Sequence, residues 1–248
     1  MRRGVFLLML GALLLLLAGC TKTAEKAVLQ VQTTGGAVEI DTGFTPVPTL
    51  AGFYKIAGKP VLLEEKPFYI FVGAQFCPFC AAQRWAVVEA LSRFGSFSGL
   101  KLDRSADGEG FSTIPTYDFM GVSYLSEYLT FIHKETADRE GNSLDELGDL
   151  ERGYVNKYNL RGAIPFTVVS GQYARVGPGH NPGVLQGKGF EEVKAELSRE
   201  ESEIRKAVLK DADVLTALIC STTGSQPASA CERRGVQEIL AQLPKEGR

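Results

Sequence analysis

The chain has 248 residues, 44% of them hydrophobic and 23% charged, the balance of a soluble globular protein with room for one large domain or two small ones. A net charge of -2 gives no field to attract nucleic acid or an anionic membrane surface, so neither is expected as a charge-driven partner. The five cysteines, Cys20, Cys77, Cys80, Cys220 and Cys231, divide into one isolated residue and two close pairs.

At the N-terminus, the basic Arg2-Arg3 precedes an apolar run from Val5 to Leu17 and then Leu17-Ala18-Gly19-Cys20, the charge order and length of a secretory signal. Its ending resembles a bacterial lipoprotein box. That resemblance implies that residues 1–19 are removed, that Cys20 carries lipid, and that the protein is extracytoplasmic and held to a bacterial membrane. Losing Arg2 and Arg3 leaves 25 basic against 29 acidic residues, a mature charge of -4. Residues 20–27 read as a polar tether whose six central residues span about 20 Å when extended. Residues 28–248 are expected to form one domain, and no later stretch approaches the ~18 apolar residues of a membrane-spanning helix.

Val28 to Val31 is a short strand candidate, and the turn-rich stretch 32–60 shows no usable period. Phe68 to Val72 is a continuous β-prone run, the pattern of a strand buried on both faces, placed here at 68–73. A helix follows over 78–94, ended by Gly95, then a strand from Leu100 to Arg104 and a loop or insertion over 105–120. Tyr128 to Ile132 is a further strand. Ser143-Leu144-Asp145-Glu146 matches a capping box, with Leu147, Leu150, Tyr154 and Tyr158 continuing at helical spacing. Ile164 to Val169 is a strand opened by proline, and 171–177 turns into a hairpin partner. Phe190, Val193 and Leu197 mark one helix; Ile204, Val208, Leu215 and Ile219 a second; Val236, Ile239, Leu240 and Leu243 a last one. Strands alternating with helices predict an α/β layer architecture.

Phe76-Cys77-Pro78-Phe79-Cys80 lies at the strand–helix junction. Free N–H groups and the dipole at a helix start favour the thiolate of the first cysteine. Cys80 continues into Val87, Leu91 and Phe94 and is expected to face the core, whereas Cys77 is expected where solvent or a partner can reach it. Pro78 fits the first helical turn, where its missing N–H costs nothing.

A dithiol at a strand–helix junction followed by a strand-opening proline resembles the thioredoxin superfamily. The resemblance implies a central mixed sheet flanked by helices, here with an inserted segment and a helical C-terminal extension. It also implies a cis-proline at Pro165 whose loop, with Ile164, pairs with the substrate backbone. Gly73 to Trp85, Pro165-Phe166, Ile219-Cys220, Gly224, Gln226-Pro227-Ala228 and Cys231 resemble one family of uncharacterised thioredoxin-like proteins over about residues 60–232. Two departures stand out. Phe71 occupies the place of thioredoxin's buried aspartate, and Phe-Cys-Pro-Phe-Cys is closer to the Cys-Pro-aromatic-Cys of glutaredoxins.

Cys77 is therefore expected to be the nucleophile of a thiol–disulfide oxidoreductase and Cys80 its resolving partner. Its partners would be protein thiols or disulfides, with a membrane redox partner compatible with the anchor. The alternative is a non-catalytic binding or metal-handling lipoprotein. Two close cysteine pairs can build a zinc site, and two cysteines with His133 or His180 can carry copper. Pro78 and the ten residues between Cys220 and Cys231 argue against zinc, and both histidines read as surface or loop residues, so no metal or other cofactor is expected. Cys220 and Cys231 are read as a structural disulfide, with a redox relay to the dithiol as the sharper alternative. Arg84 and Trp85 read either as part of a partner-binding surface or as a solvated helix arginine and a core aromatic, the second reading being favoured for Trp85.

Overall fold

The computed structural model describes residues 50–57 and 59–243. The signal segment, Cys20, the tether and the strand candidate at Val28–Val31 lie outside them. A five-stranded mixed sheet carries the fold, in the order β1-β9-β8-β2-β7. Its strands are β1 (Tyr54–Lys55), β2 (Phe68–Gly73), β7 (Thr130–Glu135), β8 (Phe166–Val169) and β9 (Tyr173–Val176). β2 and β7 run parallel, Phe71 opposite His133 and Gly73 opposite Glu135; every other pairing is antiparallel.

All six residues of β2 are buried, as its unbroken apolar run requires. Successive side chains point to opposite faces. Tyr69 and Phe71 join a core built with α1 (Pro78–Leu91) and α4 (Glu203–Thr222); Phe68, Ile70 and Val72 join a second core against α2 (Asp149–Tyr158). Helices thus cover both faces of the sheet. Burying a phenyl ring such as that of Phe71 contributes about 1.5–3 kcal/mol. α1 is buried almost all round, with Ala81, Ala82, Ala86 and Ala90 allowing close approach to the sheet and to α4.

Helix α1 ends at Leu91, three residues earlier than its apolar spacing predicts, and Gly95 opens a strand rather than stopping the helix. The strand is β3 (Gly95–Ser98), paired with β6 (Ser123–Ser126). A side chain at position 95 would collide with the Leu125 carbonyl, so this close strand approach needs glycine. The predicted strand near 100–104 forms as β4 (Lys101–Arg104), but it stays out of the main sheet. It pairs with β5 (Pro115–Asp118), which lies inside the stretch read as a loop. The segment between α1 and β7 therefore forms two small antiparallel ladders.

The strand expected at 128–132 starts at Thr130 and runs on to Glu135. The capping box at Ser143 does not form. Leu144 N–H donates to the Thr136 carbonyl, Asp145 N–H to the Glu135 carbonyl, and the Asp145 carboxylate accepts the Glu135 N–H at 2.9 Å. Pairing with the end of β7 thus holds Leu144 and Asp145, the two residues inside the motif, and α2 begins only at Asp149.

Beyond β9, a 3-10 turn (Pro182–Leu185), α3 (Phe190–Leu197) and α4 follow, then a short α5 (Ala228–Cys231) and α6 (Arg234–Leu240). Ser202 caps α4 by accepting the Arg205 N–H. No helix among the described residues is long and apolar enough to cross a membrane.

Candidate active site

β2 delivers the chain to Gly73, and Ala74-Gln75-Phe76 turn it into α1. The turn is pinned by Cys77 N–H on the Ala74 carbonyl and by Gln75 N–H on the Ala137 carbonyl at 2.9 Å. Cys77 is the N-cap of α1 in extended backbone, and its Sγ accepts the Cys80 N–H at 3.2 Å. The sulfur thus takes the place of the hydroxyl or carboxylate oxygen that usually caps a helix. Pro78 occupies the first turn.

Cys77 and Cys80 are free thiols, 4% and 0% exposed. Cys80 faces the core. Cys77 is far more covered than a helix-start position suggests, because two other segments converge around it. The Ile164 carbonyl lies 3.8 Å from its Sγ. Phe111, in the segment between α1 and β7, packs edge-on against Phe79 at 5.5 Å, and Ala106 N–H donates to the Phe76 carbonyl at 3.0 Å. Phe76 itself remains 38% exposed.

The two sulfurs are electrically unlike. The side-chain hydrogen bond with Cys80, then the Cys80 N–H and the Arg84 charge, hold the Cys77 thiol below its ordinary value against the opposing effect of burial. Burial, followed by the hydrogen bond and charge of Cys77, pushes the Cys80 thiol well up, and Arg84 only partly offsets this. Cys77 is the sulfur poised to ionise first.

Arg84 is buried, not solvated. It is 1% exposed, pairing with Glu135 (0% exposed) through Nη2–Oε2 at 2.6 Å and Nε–Oε1 at 2.9 Å, and Nη2 also donates to the Ala74 carbonyl at 2.8 Å. Its charge sits over the Phe71 and Phe119 rings at 5.6 and 6.0 Å. Burial alone would weaken its hold on the proton, but Glu135 outweighs that and keeps it above its ordinary value. Trp85 is a core aromatic, with Nε1 donating to the Pro115 carbonyl at 2.8 Å.

The Ile164–Pro165 peptide is cis, and Gly177 N–H donates to the Pro165 carbonyl at 2.7 Å, fixing the loop at the head of β8. The structure thus brings Cys77, Cys80, Ile164 and Pro165 into one place. Cys220, on the last turns of α4, and Cys231, at the end of α5, form a disulfide with Cα atoms 5.7 Å apart, both residues being buried.

Neither histidine is exposed; His180 lies in the loop after β9, one of the two placements expected of it, whereas His133 sits in β7. His133 is half-buried with Nε2 at 3.2 Å from the Val122 carbonyl, and the His180 side chain is 4% exposed with Nδ1 3.5 Å from Asp211 Oδ2. Among the described residues no group of three His, Cys, Asp or Glu side chains is arranged to hold a metal ion. A cavity of about 500 Å³ opens around Glu89, Arg93, Tyr117, Arg205 and Arg233, and neither thiol lines it.

Two charged clusters escape sequence reasoning. One is Arg84–Glu135. The other joins Arg175 to Asp211 at 2.7 Å and to Gln83 Oε1 at 2.7 Å, tying β9 to α4 and α1. The available signal was Arg84 and Gln83 themselves, polar residues inside an otherwise apolar helix; their partners are distant in sequence and carry no mark.

The family described as a domain of unknown function, DUF929, matches residues 52–221, a span that includes Cys77, Cys80, Ile164, Pro165 and Cys220 and stops short of Cys231. No curated protein and no solved structure matches the chain.

Proposed function

The chain belongs to the DUF929 family, and we propose that it is a thioredoxin-like thiol–disulfide oxidoreductase acting on protein thiols or disulfides. One observation carries the reading. Cys77 Sγ caps a buried helix, is biased toward thiolate, and faces a backbone carbonyl of a separate loop at 3.8 Å. A purely structural thiol needs none of these. The strand order supports the thioredoxin-like part: β2 and β7 are parallel across α1, and β8 and β9 follow antiparallel on the other side of β2.

In the reducing direction, the Cys77 thiolate attacks one sulfur of a substrate disulfide. A Cys77–substrate S–S bond forms, the substrate's own S–S bond breaks, and its leaving sulfur departs with the electron pair and takes up a proton. Cys80 then gives up its proton and attacks the Cys77 sulfur. The mixed disulfide breaks, and the second substrate sulfur leaves as a thiolate and is protonated. The dithiol loses two electrons and the substrate gains them; the reverse sequence oxidises a substrate dithiol. Ile164 and Pro165 present backbone beside the reacting sulfur and would hold the substrate chain there.

Placement outside the cytoplasm, with Cys20 lipidated, is part of the proposal and is supported by Arg2-Arg3, the apolar run and Leu17-Ala18-Gly19-Cys20. The decisive experiment is trapping in an extracytoplasmic compartment. Cys80→Ala should accumulate mixed disulfides with other proteins as reductant-sensitive high-mass bands, and Cys77→Ala should give few or none. Equal trapping by both variants would sink the assignment of Cys77 as nucleophile. Loss of bound metal in both, without trapping, would favour a metal carrier.

A further inference from the structure

We infer that Arg84 is a positioning residue for the resolving step: clamped by Glu135 and the Ala74 carbonyl, it keeps a positive charge beside Cys80, the sulfur that must ionise inside the core. The inference rests on the oxidoreductase reading above and names a group that reading does not use.

Arg84 stands four residues after Cys80 on α1, so the two side chains share one face a turn apart. The Ala74 carbonyl, at the end of the turn that leads from β2 toward α1, accepts Arg84 Nη2 at 2.8 Å. A Cβ built on the preceding Gly73 would lie 3.3 Å from Cys80 Sγ, so sulfur and guanidinium flank the same stretch of β2. Glu135 takes Nε and Nη2, whereas Nη1 is buried and makes no hydrogen bond. A buried, unspent guanidinium N–H is costly unless a charge comes to meet it. The Cys80 thiolate is such a charge, present only during turnover. Phe71 occupies the neighbouring strand position and supplies no proton acceptor, so help for Cys80 has to come from elsewhere.

The groups that titrate or carry charge around this layer are Cys77 and Arg84 from α1, His133 and Glu135 from β7, and Asp145 on the Glu135 N–H. From β2 and the β5–β6 turn come Phe71 and Phe119, which do not titrate. In the step itself, Cys80 releases its proton and its electron pair forms the bond to Cys77. The departing substrate sulfur receives the pair from the broken mixed disulfide and is protonated. Arg84 gives up no proton.

The test uses opposite signs. In a Cys77→Ala background, the pH dependence of Cys80 alkylation reports its ionisation directly. Arg84→Met should move the midpoint up by about one pH unit, and Glu135→Gln, which removes the opposing negative charge, should move it down by a similar amount. Arg84→Lys should stay near the parent. A role confined to holding α1 against β7 lowers the melting temperature of both changes yet leaves the midpoints in place, or shifts both the same way; either result overturns the inference. If Arg84→Met does not fold, Glu135→Gln carries the test alone: a fall supports the inference, and no change or a rise overturns it. With both cysteines present, Arg84→Met should slow release of the mixed disulfide about tenfold, the factor that one pH unit represents, and slow the first attack less, because the hydrogen bonds with Cys80 weigh more than Arg84 on the Cys77 thiol. Disulfide exchange by the unaltered protein is assayed separately. Its absence defeats the oxidoreductase reading, whereas unmoved midpoints in an active enzyme defeat the role of Arg84 only.

Discussion

The molecule holds two cysteine pairs in opposite physical states. Cys220 and Cys231 are already joined, wholly buried, on helices α4 and α5 that the disulfide ties together across eleven positions of sequence. Cys77 and Cys80 are free, three positions apart, and surrounded by groups that treat them differently: a helix N-terminus and a backbone carbonyl for the first, the core and a buried ion pair for the second. A cross-link needs only distance and enclosure. A reacting dithiol needs its two sulfurs made unequal, and Cys77 and Cys80 meet that condition.

Substitution of one sulfur should break the comparison most sharply. Cys77→Ser should lower disulfide-exchange activity on the order of 10³-fold or more, the scale of removing a nucleophile. Replacing Cys220 and Cys231 together should leave most activity in place. A distal double variant as inactive as Cys77→Ser, yet unchanged in melting temperature, would mean that the second pair relays electrons.

The same double variant should show the opposite pattern in stability. Releasing a loop of this size costs about 3 kcal/mol in the chain-entropy model, which for a domain of this length corresponds to a fall in melting temperature of about 6–12 °C. Cys77→Ser should shift it far less. Graded reductant should sharpen the contrast further: starting from oxidised protein, the Cys77–Cys80 bond should open first, since the enclosed distal disulfide is shielded from attack.

The dithiol end of this contrast was legible in the sequence, and the electrostatics beneath it were not. An unbroken apolar run, two cysteines, Pro78 and a helix-spaced continuation are all local, and β2 and α1 form where those signals place them. The distal pair was legible for the same reason, as close cysteines flanking a turn. Arg84 was misread because helix periodicity gives a residue's face but not what waits there. Glu135 lies 51 positions away, and only the parallel pairing of β2 with β7 brings it opposite Gly73. The Ser143 capping box failed likewise: the end of β7 holds Leu144 and Asp145, the two residues inside the motif, a long-range competitor that no local motif can register. The coverage of Cys77 comes in part from the segment between α1 and β7, whose fold, two small ladders, depends on pairings between stretches with little periodicity of their own.

The smallest expected effect lies on the scaffold side, at the ion pair that joins α4, bearer of Cys220, to β9. Burial works to raise the Asp211 carboxyl, but Arg175 at 2.7 Å and then His180 outweigh it and lower it from 3.8 to about 2. A carboxyl held low in the folded state contributes stability that is fully present above its unfolded value, near 3.8, and is lost as the pH falls through about 2. The shift corresponds to about 2 kcal/mol. Asp211→Asn should therefore be less stable than the parent near neutrality, all the more because Arg175 is left without its counter-charge. The gap should narrow on acidification as the parent's own carboxyl is protonated. Denaturant unfolding of both proteins from neutral pH down to about 2 measures this, and taking the difference cancels the other carboxylates. A gap that stays constant over that range would show that the Asp211 charge does not hold α4 in place. The Cys80 alkylation midpoint should be the same in both proteins, because Asp211 pairs with Arg175 and not with the ion pair beneath the dithiol. A midpoint that moved with Asp211→Asn would join the two regions electrically and end the separation drawn between them.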